Sequence, residues 1–337
     1  MKSLRKGKRS FQFDEAPVIA GWASVAGKKE SEGPLGHTFD ATQTDPYFGQ
    51  KTWEQAESRM QLLALENLKI KTGIRNEEIG VLFSGDLLNQ CVGSSFTLRN
   101  LSIPHIGLYG ACSTMAESLL MASMAVGGGF TDNAIAMTSS HFASSERQYR
   151  FPLGYGGQRP PTAQWTVTGS GAVLLKNHGN GPRITGGTIG TVTDLGVTDA
   201  NNMGSAMAPA ALETICAHFA DFNTSADDYD LIVTGDLGQL GKEVLLSTAR
   251  DRGVYLGGKL EDCGTLVFDL SRQDVHCGGS GCGCSAVVLC GYLLEQLKTG
   301  KLKRILFCGT GALLSPTSVQ QGLPISGVCH AVSIYGG

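Results

Sequence analysis

Short apolar runs alternate with longer amphipathic segments along this chain. Continuous runs typical of buried strands occupy residues 18–23, 79–83, 134–138, 172–176, 231–234 and 305–307. Segments with apolar residues three or four positions apart, typical of helices, occupy residues 53–72, 115–126, 239–251 and 285–298. Strands that alternate with helices in this way predict an α/β fold with largely parallel sheets.

The first predicted helix has clear start and stop signals. Thr52 followed by Gln55 forms a capping-box pattern, and Gly73 is a typical glycine at a helix C-terminus. Between these signals, one face of the helix carries the apolar residues Ala56, Met60, Leu63, Ala64 and Leu68.

Three features of the first half recur in the second half in the same order. Residues 83–87 (FSGDL) and 233–237 (VTGDL) each follow a predicted strand. The glycine-rich helix start at 110–114 is matched by 278–285, and the strand end at 136–141 is matched by 307–312. The repeat predicts two similar halves, each a mixed sheet flanked by helices, that meet near residues 175–185. We assign residues 1–180 to an N-terminal half and residues 181–337 to a C-terminal half.

Composition narrows the class of protein. The 337 residues carry a formal net charge of −3 with a pI near 6.2, which gives no reason to expect nucleic-acid binding. Ten cysteines are spread through apolar runs with no signal peptide before them, so we expect free thiols in a reducing compartment. No stretch approaches the ~18 uninterrupted apolar residues of a membrane span.

The N-terminus is basic. A run of positive charges precedes Phe11 and Phe13 and consists of Lys2, Arg5, Lys6, Lys8 and Arg9. We expect a frayed, solvated terminus here. A weak hold on an anionic membrane surface is the alternative.

Cys112 is the residue best placed for chemistry. It directly precedes the apolar helix predicted at 115–126. A thiol at a helix N-terminus lies near the positive end of the helix dipole, which lowers its pKa and suits a nucleophile. A buried cysteine that acts only as a small apolar residue is the alternative. Acyl-transferring cysteines generally need a histidine partner, and the segment where we expect it, residues 234–239 (TGDLGQ), offers Asp236 instead.

Four longer segments carry a specific resemblance. They are residues 18–27 (VIAGWASVAG), 32–36 (EGPLG), 48–58 (FGQKTWEQAES) and 276–286 (HCGGSGCGCSA). With the duplicated pattern, the position of Cys112 and residues 169–175 (GSGAVLL), they resemble the stage V sporulation protein AD family of the thiolase and ketoacyl-synthase superfamily. The resemblance runs from about residue 14 to the end of the chain.

This resemblance implies a fold, a ligand and an assembly. The fold is a duplicated thiolase-like αβαβα arrangement, and the assembly is a homodimer. The implied role is to load dipicolinic acid into developing spores, with dipicolinate, free or with calcium, as the ligand. The implied partners are membrane proteins of the same sporulation apparatus, and the implied location is peripheral, on the cytoplasmic side of the forespore inner membrane. No cofactor is implied.

Transfer of residues from the acyl-transferring relatives weakens the case for an enzyme. Cys112 matches their nucleophile, but Asp236 stands where their histidine lies, and the turn at 281–284 (GCGC) lacks their asparagine. An ionised aspartate repels a thiolate and a developing oxyanion alike. We therefore expect no acyl transfer. The alternative is an acyltransferase that uses Cys112, with His141 or His276 as a substitute base.

The residues favour a pocket that binds carboxylates. Residues 111–114, 278–283 and 308–312 contain small residues that can present backbone N–H groups to an anion. The candidate ligand-binding residues are Cys112, Ser113, His141, Asp236, His276, Gly279, Ser280, Cys282, Thr310 and Gly311. His141 is explained as well by a hydrogen-bonded position at a strand end. We expect residues 149–158 to form a loop over the pocket or the dimer seam, with Arg147, Arg150 and Arg159 as carboxylate clamps or solvated rim charges.

Metal binding is a weaker interpretation. Asp236 alone is a poor site for calcium, which takes about six to eight oxygen ligands. His276, Cys277, Cys282 and Cys284 lie close together in sequence but lack the second, separated pair of ligands of a zinc knuckle. We expect no metal site in the protein itself. A third class of function, a structural subunit that docks on membrane proteins, stays open.

Overall fold

The structure is a computed structural model that describes residues 3–149 and 159–336. The strands are β1 (Ser3–Lys6), β2 (Ser10–Phe13), β3 (Val18–Gly27), β4 (Ala41–Gln43), β5 (Val81–Gly85), β6 (His105–Gly107), β7 (Asn133–Ser140), β8 (Trp165–Thr166), β9 (Gly169–Lys176), β10 (Arg183–Thr188), β11 (Leu231–Thr234), β12 (Leu260–Asp262), β13 (Gly279–Ser280), β14 (Arg304–Leu313) and β15 (Ser326–Tyr335).

The α-helices are α1 (Lys28–Ser31), α2 (Trp53–Thr72), α3 (Val92–Leu98), α4 (Thr114–Gly127), α5 (Phe142–Tyr149), α6 (Met203–Phe222), α7 (Gly238–Asp251), α8 (Cys263–Leu266), α9 (Cys282–Val288), α10 (Leu294–Lys298) and α11 (Pro316–Gln320). A π-helical turn, Leu289–Leu293, joins α9 to α10, and a 3-10 turn, Ala111–Ser113, leads into α4. As predicted, the Thr52 side chain caps α2 by accepting from the Gln55 N–H, and Gly73 ends the helix with a left-handed φ of 73°.

The two halves of the chain have the same strand order. The first half gives β3-β9-β7-β5-β6 and the second gives β10-β15-β14-β11-β12. In each set, the first two pairings are antiparallel and the last two are parallel. Because β5 and β11 hold the same place in their sets, residues 83–87 and 233–237 lie at equivalent positions, and the predicted repeat is confirmed.

The expectation of largely parallel sheets is wrong. In the first half, β9 pairs antiparallel with β3 and with β7. In the second half, β15 pairs antiparallel with β10 and with β14, so both sheets are mixed. A single pairing of Arg183 with Val18 joins β10 to β3 between the sets. The first set ends at Lys176 and the second begins at Arg183, and the exact boundary at residue 180 stays a prediction.

The two sheets and three layers of helices form five layers in all. Helix α4 packs on β5 and β7 of the first set and on β14 and β15 of the second, while α9 packs on β7 and β9. Helix α2 covers the outer face of the first set, and α6 with α7 covers the outer face of the second. Met115, Leu119 and Val126 of α4 are fully buried, as expected for a helix that is apolar on all sides. The start of this central helix carries Cys112.

Three long elements escaped the sequence analysis, namely α6, β10 and β15. Helix α6 contains Pro209, which ordinarily disfavours a helix interior, and β10 contains two adjacent glycines that suggest a loop. Both elements are fixed by tertiary packing, since α6 contacts β14 and β15 and β10 pairs with β15.

The expectation of a frayed N-terminus is wrong for the residues that the structure describes. Strands β1 and β2 form a hairpin, and β2 extends the sheet by pairing with β10. Arg9 donates to Thr191 Oγ1 and to the Glu213 carbonyl at 2.9 Å each, and Phe13 is buried. The apolar residues that follow the basic run therefore anchor it. Within the described ranges, no helix has the length and hydropathy needed to cross a bilayer.

Replacing Gly171 by alanine should destabilise the fold. An added Cβ at Gly171 of β9 would lie 2.6 Å from the Ala286 carbonyl oxygen of α9, and overpacking of this kind costs about 1–3 kcal/mol. The matched control is Gly257→Ala, at an exposed glycine with no atom within 4 Å of the added Cβ. Denaturant unfolding checks both variants, and equal stabilities would contradict the close packing of α9 on β9.

Candidate functional site

Cys112 lies where the two central helices begin. It sits in the turn Ala111–Ser113 before α4, and α9 begins opposite it at Cys282. Ala111 holds a left-handed φ of 51°, which turns the chain sharply just before the thiol. Cys112 Sγ lies 4.0 Å from Ser280 Oγ, and Cys112 is 6% exposed. Cys112 and Ser280, which the sequence analysis assigned to one pocket, therefore lie side by side.

Asp236 lies beside this thiol and is fully buried. One carboxylate oxygen accepts a hydrogen bond from Thr310 Oγ1 at 2.8 Å. The other accepts from the Gly281 N–H at 2.9 Å and from Ser280 Oγ at 3.2 Å. Asp236 follows β11, Thr310 belongs to β14, and Gly281 directly precedes α9. The carboxylate therefore ties three elements of the second half together.

Burial sets the electrostatics of this pair. It raises the pKa of Asp236 to about 6, against the lowering effect of the Gly281 N–H and of the Cys112 and Thr310 side chains. Burial also raises the pKa of the Cys112 thiol well above its usual value, and the Asp236 carboxylate raises it further. The expectation of a lowered thiol pKa is wrong, because desolvation and a facing carboxylate outweigh the helix dipole. At neutral pH, Cys112 is a thiol rather than a thiolate.

Part of the expected wall of free backbone N–H groups is taken up within the protein. Residues 308–312 lie inside β14 and pair with β15, and Gly279 and Ser280 form β13 and pair with β8. The Gly281 N–H donates to Asp236, and the Ser113 N–H donates to the Gly110 carbonyl at 3.0 Å. The Gly281 and Ser113 donors are therefore satisfied within the protein.

A small cavity of about 40 Å³ lies in front of Cys112. Its walls are mainly apolar and include Leu87, Ala111, Met203, Ala312 and Leu314. Polar side chains also line the cavity, and they are Tyr109, Ser145, Glu146, Tyr149, Thr166 and Ser280.

Two tyrosines close the mouth of this cavity. The hydroxyl of Tyr109 lies 2.7 Å from that of Tyr149, and Tyr149 donates to the Leu87 carbonyl at 2.6 Å. Of the predicted site residues, Cys112 and Ser280 line the cavity, and Asp236, Cys282 and Thr310 lie directly behind them. Ser113 and Gly311 pack at the helix start, and Gly279 accepts from Gln164 at 2.9 Å.

Sequence reasoning missed the cavity residues Tyr109, Glu146 and Thr166. Tyr109 could have been found from the sequence, since it stands three positions before Cys112. Glu146 of α5 and Thr166 of β8 come close to Cys112 only through the tertiary fold, and their sequence positions give no signal.

Neither candidate histidine lines the Cys112 cavity. His141 follows β7, its Nε2 lies 2.7 Å from the Pro46 carbonyl oxygen, and it lines a separate cleft with Lys29 and Trp165. Its interpretation as a hydrogen-bonded residue at a strand end is confirmed. His276 Nε2 lies 3.5 Å from an Asp274 carboxylate oxygen. Their proposed roles as ligand-binding residues in this cavity, or as substitute bases for Cys112, are therefore wrong.

The four residues that suggested zinc do not converge. Cys282 Sγ donates to the Ser139 carbonyl at 3.0 Å, and Cys277 Sγ donates to the Pro161 carbonyl at 3.2 Å. Cys284 is fully buried beside Gly279. Within residues 3–149 and 159–336, no group of three or more His, Cys, Asp or Glu side chains is placed to hold a metal ion. All ten cysteines are free.

Two of the three candidate arginines are paired with carboxylates. Arg147 contacts Glu54, and Arg159 lies 3.7 Å from Glu146 at the cavity. Arg150 and residues 150–158 of the predicted loop lie outside the described residues.

Replacing Asp236 by asparagine should make Cys112 more reactive toward iodoacetamide at pH 8. Loss of the carboxylate removes one of the two causes that raise the thiol pKa, and each unit of pKa lowered gives about tenfold more thiolate. Mass spectrometry of the alkylated peptides measures the rate. Cys91 is the internal reference, because burial and Asp86, not Asp236, raise its pKa to about 11. An unchanged rate at Cys112, or an equal rise at Cys91, would contradict this account.

Similar proteins share both the fold and the sequence. Two solved structures match nearly the whole chain: an OleA variant from Xanthomonas campestris (16% identity, TM-score 0.62, covering 96% of this chain and 99% of that one), and 3-oxoacyl-[acyl-carrier-protein] synthase III from Aquifex aeolicus VF5 (12% identity, TM-score 0.58, covering 95% and 100%). At these identities the likeness shows the fold alone, which is thiolase-like as predicted.

The sequence comparisons are more specific. Stage V sporulation protein AD from Bacillus subtilis (strain 168) is 46% identical over 326 residues, which cover 97% of this chain and 96% of that protein. The sequence profile of stage V sporulation protein AD matches residues 7–335. This chain therefore belongs to the stage V sporulation protein AD family of sporulation proteins.

Proposed function

We propose that this chain binds dipicolinate, free or with calcium, in the Cys112 cavity. It does so as a peripheral component of the apparatus that moves dipicolinate into the developing spore, beside membrane proteins on the cytoplasmic side of the forespore inner membrane. Membership of a sporulation family supports the setting. The observation that carries the proposal is the hydrogen-bonded, buried Asp236 next to Cys112.

Asp236 argues for binding and against acyl transfer. A thioester mechanism needs a thiolate and free donors for the developing oxyanion. Here Asp236 takes up the Gly281 N–H and the Ser280 and Thr310 hydroxyls. It also helps to keep the Cys112 thiol protonated. A site with these features retains the shape of an acyltransferase pocket without its chemistry.

The walls of the cavity suit a flat aromatic ring. Apolar side chains such as Leu87, Met203 and Leu314 offer contact surfaces, while Ser280 and Thr166 offer hydroxyl donors to a carboxylate. Glu146 also lines the cavity, where it is paired with Arg159, and Asp236 lies behind Ser280. Because the Asp236 carboxylate disfavours a free dianion, we propose that the calcium salt is the preferred form.

Binding requires the cavity to widen. A volume of about 40 Å³ holds only a few water molecules. The Tyr109 side chain is 44% exposed and bonds to Tyr149 through its hydroxyl, so it is free to swing toward solvent. We propose that the ligand displaces Tyr109 and then accepts a hydrogen bond from the Tyr109 hydroxyl, while Tyr149 keeps its bond to the Leu87 carbonyl.

Calorimetry with dipicolinate, with and without calcium, tests the function. We expect binding that calcium strengthens, and no comparable heat with benzoate. Cys112→Ala should weaken binding by on the order of 1 kcal/mol, whereas Cys112→Phe should abolish binding because the ring fills the cavity. Cys216→Phe, at a partly buried cysteine of α6 away from the cavity, is the matched control and should bind as the wild type does.

The other functions predict different results. Equal, negligible heats for dipicolinate and benzoate would refute the ligand-binding proposal and favour a purely structural subunit. A covalent acyl adduct on Cys112 with turnover would identify an acyltransferase instead.

We also propose that two copies pair through the outer edge of β6. Within the described residues β6 pairs with β5 on one side, and no strand pairs with its other side. Large apolar side chains are exposed on the neighbouring α3 (Phe96), on β6 (Ile106), just after β6 (Tyr109) and on α4 (Met121). An open strand edge beside an apolar surface is a typical site of association. Because Tyr109 lines the Cys112 cavity and also belongs to this apolar surface, dimerisation would place the cavity beside the dimer interface.

Replacing Ile106 by aspartate should therefore give monomers. Light scattering after size-exclusion chromatography measures the mass, and the wild type should elute as a dimer. Ile70→Asp is the matched control, since Ile70 is 81% exposed on α2, away from β6. A dimer that survives Ile106→Asp, or one that Ile70→Asp disrupts equally, would contradict this interface.

A further inference from the structure

A second cleft, of about 620 Å³, lies at the opposite end of the sheets from Cys112. Cys112 and Asp236 follow the carboxyl ends of the parallel strands β6 and β11. The cleft instead surrounds the starts of β3 and β10. Val18 of β3 and Asn133 at the start of β7 both pair with Lys176, so the cleft lies at the end of the sheet where β7 begins. Both halves contribute to its walls, so we call it the junction cleft. It shares no residue with the Cys112 cavity.

The charged side chains of the junction cleft are mainly cationic. Lys71, Arg183 and Lys298 line it, and the acidic side chain among the described lining residues is Glu295. The ammonium groups of Lys71 and Lys298 lie 5.9 and 5.6 Å from the centroid of the Trp22 ring. One indole therefore lies within cation–π distance of two positive charges at the wall of one cleft.

These cations differ in how far they are already neutralised. Lys71 forms an ion pair with Asp40 at 2.9 Å, whereas Lys298 lies 4.0 Å from Glu295. Arg183 donates to the carbonyls of Ala16 and Gly179 at 3.1 and 3.3 Å. In the part of the chain that the structure describes, no carboxylate lies within 4 Å of its guanidinium. Since a guanidinium carries five N–H donors, Arg183 keeps donors for a further acceptor.

Two glycines let the backbone pack tightly beside Arg183. Gly181 holds a φ of 141°, and a Cβ there would lie 2.4 Å from the Ile19 carbonyl oxygen. A Cβ at Gly21, which also lines the cleft, would lie 2.2 Å from Thr72 Cγ2. Larger side chains therefore cannot stand at these two positions, and the linker between the halves runs close to β3 beside the cleft.

We propose that the junction cleft binds a small molecule through its phosphate or carboxylate groups. A planar guanidinium with two nearby ammonium groups is the donor set that such anions prefer. The volume of the cleft admits a ligand larger than a single phosphate. Because its walls come from both halves, a bound anion would bridge them. This inference does not depend on the function proposed for the Cys112 cavity.

Calorimetry with inorganic pyrophosphate tests the site on the full chain. We expect the wild type to bind, Lys298→Gln and Arg183→Gln to weaken binding, and Glu295→Gln to strengthen it, each by about twofold to fivefold for a partly exposed charge. Lys301→Gln is the matched control, because Lys301 follows α10 but is not among the lining residues. Glu295→Gln guards against misfolding as an explanation, since an unfolded variant does not gain affinity. Thermal unfolding of each variant accompanies the titrations.

Two further ligands distinguish the sources of the anion. Vesicles of phosphatidylglycerol, against phosphatidylcholine vesicles, test a lipid headgroup, and dipicolinate tests a free dicarboxylate. Either ligand supports the cleft if Lys298→Gln and Glu295→Gln shift its affinity in opposite directions. Cys112→Phe should leave pyrophosphate binding unchanged. If Cys112→Phe also leaves dipicolinate binding intact while Lys298→Gln weakens it and Glu295→Gln strengthens it, dipicolinate belongs to the junction cleft and the Cys112 proposal fails.

Absence of heat with pyrophosphate up to about 10 mM, the range of very weak affinities, would overturn the proposal. So would equal effects of Lys298→Gln and Glu295→Gln, because an anion site requires the two opposite charges to act in opposite directions.

Discussion

The carboxylate of Asp236 determines what the centre of this molecule can do. A buried charge costs several kcal/mol unless it is fully hydrogen-bonded, and Asp236 receives donors from Gly281, Ser280 and Thr310. These donors are the groups that surround Cys112, so they stabilise a permanent anion of the protein rather than a transient one on a substrate. Burial raises the pKa of Cys112, and the same carboxylate raises it further. Asp236 therefore contributes both to the packing of this centre and to its chemistry.

The fold makes this interaction possible by bringing two helix starts together. Helices α4 and α9 share the layer between the sheets, and β14 runs against the start of α4. A Cβ at Gly311 would lie 2.5 Å from the Gly110 carbonyl oxygen, and one at Gly309 would lie 2.6 Å from Ala116 Cβ. These two glycines let β14 approach closely enough for Thr310, between them, to reach Asp236. The duplication places α4 and α9 between the two sheets, and the small residues of β14 allow the contact between Thr310 and Asp236.

Local patterns predicted a large part of this fold. The repeated Gly-Asp-Leu turns identified the duplication because both follow short buried strands, and the position of Cys112 before an apolar helix placed it opposite the Gly279–Cys284 segment. The pattern did not show β10 and β15, since their positions depend on partners distant in sequence. It gave the wrong direction for the thiol pKa, because burial and the orientation of Asp236 are tertiary properties. It also did not show that residues 308–312, expected at a pocket wall, continue a strand that pairs with β15.

The two ends of the sheets differ in charge, which has a consequence for any ligand they share. At the Cys112 cavity Asp236 is a buried carboxylate and Glu146 is paired with Arg159, whereas Lys71, Arg183 and Lys298 line the junction cleft. A free dicarboxylate is a dianion, but its calcium salt is neutral, so the two ends of the protein differ in which form they favour. An anion is attracted to the cleft and disfavoured beside Asp236. Charge neutralisation, rather than ring shape, would then decide which end of the molecule holds the ligand.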